Sequence, residues 1–188
     1  MAGTGAIGPP GPSGAAWAAA GAGPHGSYLA PPWLRGGHAQ TLWPALLAPR
    51  PQIGYRRERW DAPDGDFIDL DWADPAAPAA APAAQRPLLV LFHGLEGSSG
   101  SPYARMLMSC AGSRGWDGVV VHFRGCSGEL NRLPRAYHSG DSDEADWVLR
   151  RLASDRAAAG RRGPLLAAGV SLGGNVLLKW LGERGSAA

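Results

Sequence analysis

The stretch from Pro164 to Glu183, PLLAAGVSLGGNVLLKWLGE, constrains the fold more than any other part of the chain. Leu165, Leu166, Ala167, Ala168 and Val170 form an apolar run, the pattern of a strand buried on both faces. It leads through Gly169-Val170-Ser171-Leu172-Gly173 into Val176, Leu177, Trp180 and Leu181, which recur at helical spacing. The text therefore predicts a strand, a sharp turn at a glycine-bracketed serine, and a helix. G-x-S-x-G in that setting strains the serine backbone and lifts its Oγ above the sheet. Gly169 and Gly173 remove the Cβ atoms that would collide as strand and helix close. A helix starting directly behind Ser171 places N-terminal N–H groups and a favourable dipole where acyl transfer develops negative charge.

Upstream, the chain reads as alternating strand and helix. Pro87 to Phe92 and Gly118 to Phe123 are continuous apolar strands. Ser101-Pro102 predicts an N-cap followed by proline at the first helical turn, with Tyr103, Met106, Leu107, Cys110 and Ala111 on one face. A further helix starts near Asp141, with Glu144 three residues on in capping-box register. Asp143 and Asp146 suit its positive end, and Arg150 and Arg151 its negative one. Before these units, Gly54–Trp60 and Phe67–Trp72 read as a hairpin turned at Asp64-Gly65. The repeated units predict an α/β fold, a mostly parallel sheet with helices on both faces, preceded by that hairpin.

The flanks set the domain plan. Residues 1–27 are a Gly/Ala/Pro leader without lysine or arginine, expected to be disordered and unlike a secretory signal. Residues 28–188 form one partial domain, interrupted by a Pro/Ala linker at 74–85. Trp33, Leu34, Leu42, Trp43, Leu46 and Leu47 suggest a short helix laid on a larger body; Arg35-Gly36-Gly37-His38 is open as a site element, with His38 read first as a structural group. A net charge of +2 with scattered arginines gives nucleic acid no basic block. Cys110 and Cys126 make neither a disulfide framework nor a metal site, and read as reduced thiols of a cytoplasmic protein. No apolar run reaches membrane-spanning length. No cofactor or metal is expected, and the partner expected is a small-molecule ester or acylglycerol.

In a parallel α/β sheet, ligands collect beyond the carboxyl ends of the strands. Three such ends carry polar or glycine-rich text: His93 to Ser99, Arg124 to Glu129, and Ser171. An acyl-transfer serine needs two backbone N–H groups aimed at the oxyanion. Leu172 supplies one by position; the loop after His93 supplies the other, expected at Leu95. Gly94 permits close approach of the backbone, and His93 braces the loop, since the usual order of such sites runs serine, acid, histidine. Arg124 and Glu129 are read as loop-ordering groups.

The phrases PPWLRGGHAQTLWP, LFHGLEGSSGSPYARMLM, VVHFRGCSGELNRLPRAYHSGDSDEADWVLRRL and AAGVSLGGNVLLKWLGE resemble the YheT-like α/β-hydrolases, bacterial relatives of the eukaryotic α/β-hydrolase-domain lipases. The resemblance runs from about Tyr28 to Glu183. It implies an α/β-hydrolase fold and carboxylesterase or acylglycerol lipase chemistry, with Ser171 as nucleophile and the Leu95 and Leu172 amides as oxyanion hole. It also implies a charge-relay Asp and His well beyond the nucleophile helix. Only Glu183 is acidic after Ser171, and all five histidines precede it, so the triad Asp and His are absent and the chain reads as the N-terminal part of a hydrolase. A non-catalytic remnant or binding scaffold, and an acyltransferase or thioesterase of the same fold, stay open beside the esterase reading.

Overall fold

The computed structural model of the chain describes residues 29–47, 50–74 and 82–187. The expected leader and most of the Pro/Ala linker lie outside them. The last linker residues are ordered: Ala83–Gln85 form a 3-10 turn, whose Ala84 carbonyl accepts the Arg162 and Gly163 N–H groups.

The chain divides into two compact units, residues 1–48 and 49–188. In the first, α1 (Gly37–Leu42) runs into a π-helical turn, Trp43–Leu47. Trp33 packs edge-on against Trp43 at 5.2 Å. Trp33, Leu42, Leu46 and Leu47 are exposed.

The second unit is built on five strands: β1 Tyr55–Asp61, β2 Phe67–Ala73, β3 Leu88–Phe92, β4 Asp117–Val121 and β5 Leu165–Gly169, in the order β1-β2-β4-β3-β5. The β3/β4 and β3/β5 pairs are parallel; β1/β2 and β2/β4 are antiparallel. The sheet is therefore mixed, with its parallel part where the strand–helix units lie. The hairpin turns where expected: Gly65 has φ 85°, its N–H reaches the Ala62 carbonyl, and Asp64 Oδ1 accepts the Asp66 N–H.

Helices α2 (Pro102–Ser113), α3 (Ser142–Ala158) and α4 (Leu172–Arg184) cover the sheet. Leu88, Val90, Phe92, Val119 and Val121 pack with Val148, Leu152 and Val176 of α3 and α4. Leu91 and Val120, pointing the other way by strand alternation, meet Ala104 and Met108 of α2. That alternation puts helices on both faces. No helix among the described residues is long and apolar enough to cross a membrane.

Several local expectations are corrected. The buried face of α2 is Ala104, Met108 and Ala111; Met106 and Cys110 point outward. Neither expected cap forms: Ser101 Oγ accepts the Ser98 N–H, and no side-chain cap bond is made at either helix. Asp141 takes Arg135 and the His138 N–H, while Glu144 takes Arg124. These partners, two of them arginines, take the place of the helix-end N–H groups. Strand β4 ends at Val121: the His122 N–H still bonds the Asp69 oxygen of β2, and the Phe123 N–H turns away to the His93 ring. Finally, β5 is not buried on both faces. Among the described residues it pairs with β3 alone, leaving Leu166 38% exposed.

Candidate active site

Ser171 stands between β5 and α4 with φ 52° and ψ −114°. Among the described residues only Ser171 and Glu96 are non-glycine residues with positive φ. Such conformations cost about 1–3 kcal/mol each and persist only where the surroundings over-determine them. Here the surroundings do so. The Val170 N–H bonds the Phe92 carbonyl, the Gly173 N–H the Val170 carbonyl, and the Asn175 N–H the Ser171 carbonyl. A Cβ on Gly169 would lie 2.5 Å from the Gly173 oxygen, and one on Gly173 would lie 2.6 Å from the His93 oxygen. Helix and strand approach that closely only without side chains there. The Ser171 side chain is exposed, and among the described residues no group hydrogen-bonds its Oγ.

The loop after β3 folds back against this serine. A Cβ on Gly94 would lie 3.4 Å from Ser171 Cβ and 3.4 Å from the Val170 oxygen. Gly94 to Gly97 form a tight turn closed by the Gly97 N–H on the Gly94 oxygen at 2.9 Å, with Glu96 in the left-handed region at φ 51°. Gly97 must also be small, since a Cβ there would meet Tyr103 Oη at 2.5 Å. The Gly94 N–H donates to Tyr103 Oη at 2.9 Å and the Glu96 N–H to Tyr137 Oη at 2.8 Å. The Leu95 N–H between them has no acceptor among the described residues.

Beneath the turn lies a buried polar layer. His93 Nε2 accepts the Phe123 N–H at 3.1 Å, so its proton sits on Nδ1, which donates to the Gly94 oxygen at 2.7 Å. Burial pushes this imidazole down to about 4. With both nitrogens engaged and the ring held neutral, His93 fixes the turn and has no nitrogen free to take a proton from Ser171. Its ring meets those of Phe123 and His122 edge-on. His122 Nε2 bonds Asp71 Oδ2 at 2.8 Å, and Ser99 Oγ donates to the same oxygen at 2.5 Å. Arg57, directly across the hairpin, grips Asp71 with two N–H groups. Burial works to raise the Asp71 carboxyl, but the bonds from His122, Arg57 and Ser99 outweigh it and hold it well below the carboxylate range.

The loop after β4 is tied down by charge. Buried Arg124 bonds Glu144 at 2.6 Å and Asp66 at 3.0 Å. Asp66 also accepts the Arg132 and Leu133 N–H groups and the Asn131 amide. Burial opposes these bonds, yet they bring the Asp66 carboxyl down to about 2. Arg59 reaches Glu129 at 2.9 Å from the hairpin. Arg124 and Glu129 thus order the loop. An apolar cleft of about 550 Å³, lined by Leu149, Ala153, Leu165, Leu177, Trp180 and Leu181, opens beside β5 and includes none of the site residues. Among the described residues no group of three or more His, Cys, Asp or Glu is placed to hold a metal ion.

The chain is 47% identical over 149 residues to YheT of Escherichia coli strain K12, which bears the name of an esterase; the match covers 79% of this chain and 42% of that protein. The chain belongs to the YheT-like α/β-hydrolase family. Human phospholipase ABHD3 is 34% identical over 161 residues, 85% of this chain and 38% of its own. The chain therefore spans about two fifths of the length of these relatives. Among solved structures, an α/β serine hydrolase homologue from Coxiella burnetii matches with TM-score 0.54 at 15% identity, over 69% of this chain and 58% of its own. An α/β serine hydrolase without a lid from Xanthomonas campestris matches with TM-score 0.52 at 23% identity, over 72% and 59%. These likenesses show an α/β-hydrolase fold. No protein-family model matches the chain.

Within this YheT-like fold, Ser171, Leu172, Gly173, Gly94 and Leu95 gather at one place beyond the ends of β3 and β5. Sequence reasoning missed Tyr103, Tyr137, Asp71 and His122. Tyr103 read as one more apolar residue of α2. The bond from Tyr137 to Glu96 spans 41 residues, and no local pattern announces it.

Proposed function

We propose that this chain carries the nucleophile and oxyanion hole of a serine carboxylic-ester hydrolase, acting on an ester or acylglycerol through an acyl-enzyme on Ser171. The observation that carries the reading is the positive-φ Ser171 seated against the Gly94 turn, with Leu95 as that turn's one backbone donor without an acceptor among the described residues. Leu172, the first residue of α4, brings a second N–H free of intrahelical bonds. In the reaction, Ser171 Oγ loses its proton to a base and bonds the ester carbon. The carbonyl pair moves to oxygen, where the Leu95 and Leu172 amides stabilise it. The intermediate then expels the alcohol, which leaves with a proton, and water repeats the sequence to release the acid. The names esterase and phospholipase, borne by the relatives, support an ester substrate.

One observation favours a second reading, a non-catalytic hydrolase scaffold: among the described residues none bonds Ser171 Oγ as a base. The two separate in one experiment. The 188-residue chain and Ser171→Ala are exposed to an alkyl fluorophosphonate, with and without imidazole as external base. The esterase reading expects labelling at Ser171, accelerated by imidazole and lost in the variant. It also expects weak p-nitrophenyl ester turnover, near the roughly 10³–10⁴-fold over water that an oxyanion hole and binding leave when a triad member is missing. Labelling indifferent to Ser171→Ala would leave the scaffold.

A further inference from the structure

The Gly94–Gly97 turn is held by two phenols that approach it from different elements. Tyr103 stands in the first turn of α2 and Tyr137 in the loop before α3. Their hydroxyl oxygens accept the N–H groups on either side of Leu95, at 2.9 Å from Gly94 and 2.8 Å from Glu96. Each phenol is itself located. Tyr103 Oη lies in the concavity that Gly94 and Gly97 leave open, where added Cβ atoms would come within 3.7 and 2.5 Å of it. The Tyr137 ring stacks on Phe123 at 5.3 Å and 6° between planes, and Phe123 in turn abuts His93 at 5.0 Å. His93 closes the frame by donating to the Gly94 oxygen.

A four-residue turn has four N–H groups. Among the described residues, those of Gly94, Glu96 and Gly97 are consumed and that of Leu95 is not. The left-handed φ of Glu96 is an uncommon state for a side chain of that size, and its N–H is anchored by Tyr137. The Leu95 N–H lies in the peptide between the two that the phenols anchor; with either anchor gone, the flanking peptide could relax toward a common conformation and the Leu95 N–H would lose its fixed direction.

We propose that Tyr103 and Tyr137 are positioning residues for the reaction, two hydroxyl clamps that aim the Leu95 N–H at the oxyanion beside Ser171. This rests on the serine-hydrolase reading above. The clamps touch no substrate; they act through the turn. They stabilise the oxyanion that forms after attack, so their loss slows bond formation and leaves ligand binding in place.

The test compares fluorophosphonate inactivation of the 188-residue chain with Tyr103→Phe, Tyr137→Phe and Ser171→Ala, all in imidazole buffer. Each phenylalanine keeps the ring and removes one hydroxyl. The expected result is a maximal inactivation rate lowered about 10-fold in each tyrosine variant, short of the ~10²–10³-fold for losing an oxyanion donor outright. The half-saturating probe concentration should be unchanged. A merely structural role would lower the melting temperature and leave this split absent. Should one variant lose its cooperative melt, the other decides. Labelling at Ser171 with both variants reacting at the wild-type rate overturns the clamps and leaves the serine reading intact. No labelling above Ser171→Ala overturns both together.

Discussion

His93 shows how one buried side chain couples the site to pH. Its imidazole is fully enclosed and held neutral, with burial moving it from its ordinary 6.5 to about 4. A group whose folded value is depressed contributes stability that is present above its unfolded value and lost as pH falls through the folded one. That window runs from about 6.5 down to about 4, and the shift corresponds to about 3 kcal/mol. Asp66 and Asp71, held low in the fold, add to acid loss only below about 4. Glu144, which burial pushes up, works with the opposite sign, so a variant isolates the histidine better than the wild-type slope does. His93→Gln keeps a donor and an acceptor without a titrating ring. It should melt lower than wild type at pH 7 and show a flatter melting temperature between pH 6.5 and 4; parallel curves would remove His93 as the cause. The glycines give a second residue-scale outcome. Gly173→Ala drives a Cβ into the backbone oxygens of Phe92 and His93 and should cost about 1–3 kcal/mol. Gly182→Ala in the same helix meets nothing within 4 Å and should gain about 0.5–1 kcal/mol. Paired urea titrations read both.

At the scale of elements, the hairpin does more than precede the parallel strands. Its register sets Arg57 opposite Asp71 and Arg59 opposite Asp69, and each arginine reaches on to the loop after β4, at the Ser127 oxygen and at Glu129. Asp71 carries this linkage under the site through His122 and Ser99. Asp71→Asn removes the charge that offsets half-buried Arg57, and with it one of the carboxylate oxygens shared among Arg57, His122 and Ser99, and should cost about 3 kcal/mol in a urea titration. Arg150→Ala breaks an exposed pair with Asp146 and should change stability by less than ~0.5 kcal/mol. The contrast also marks what the text makes legible. Strands β1 to β5, the three long helices and the Ser171 turn follow from local periodicity and glycine spacing, because those signals sit within a few residues. The caps read at Ser101 and Asp141 failed because their side chains turn back to groups just upstream, the Ser98 N–H for one and the His138 N–H and Arg135 for the other. Asp71, His122, Tyr103 and Tyr137 carry no local signature, since each matters through a partner 9 to 51 residues away.

Across the whole molecule, the unbalanced feature is the side of the sheet at β5. Among the described residues β5 is bonded to β3 and to no second strand, so one row of its N–H and C=O groups is unpaired. Leu166 is exposed on one face. On the other, Leu165 and Ala167 floor an apolar cleft walled by Leu149, Leu177, Trp180 and Leu181, and Leu178 on α4 is 69% exposed. An unpaired apolar edge is a template for another chain, and proteins blunt such edges with charge, lysine above all. None of the side chains of β5 is charged, and a net charge of +2 provides little long-range repulsion. The isolated chain should therefore self-associate as its concentration rises. Leu166→Lys sets a charge on the edge strand and faces away from the Leu165 and Ala167 side by strand alternation, so it should shift that association to higher concentration without altering the cleft. Light scattering over a dilution series reads the difference. Equal association of the two chains would mean that the cleft or another surface, and not the β5 edge, brings the molecules together.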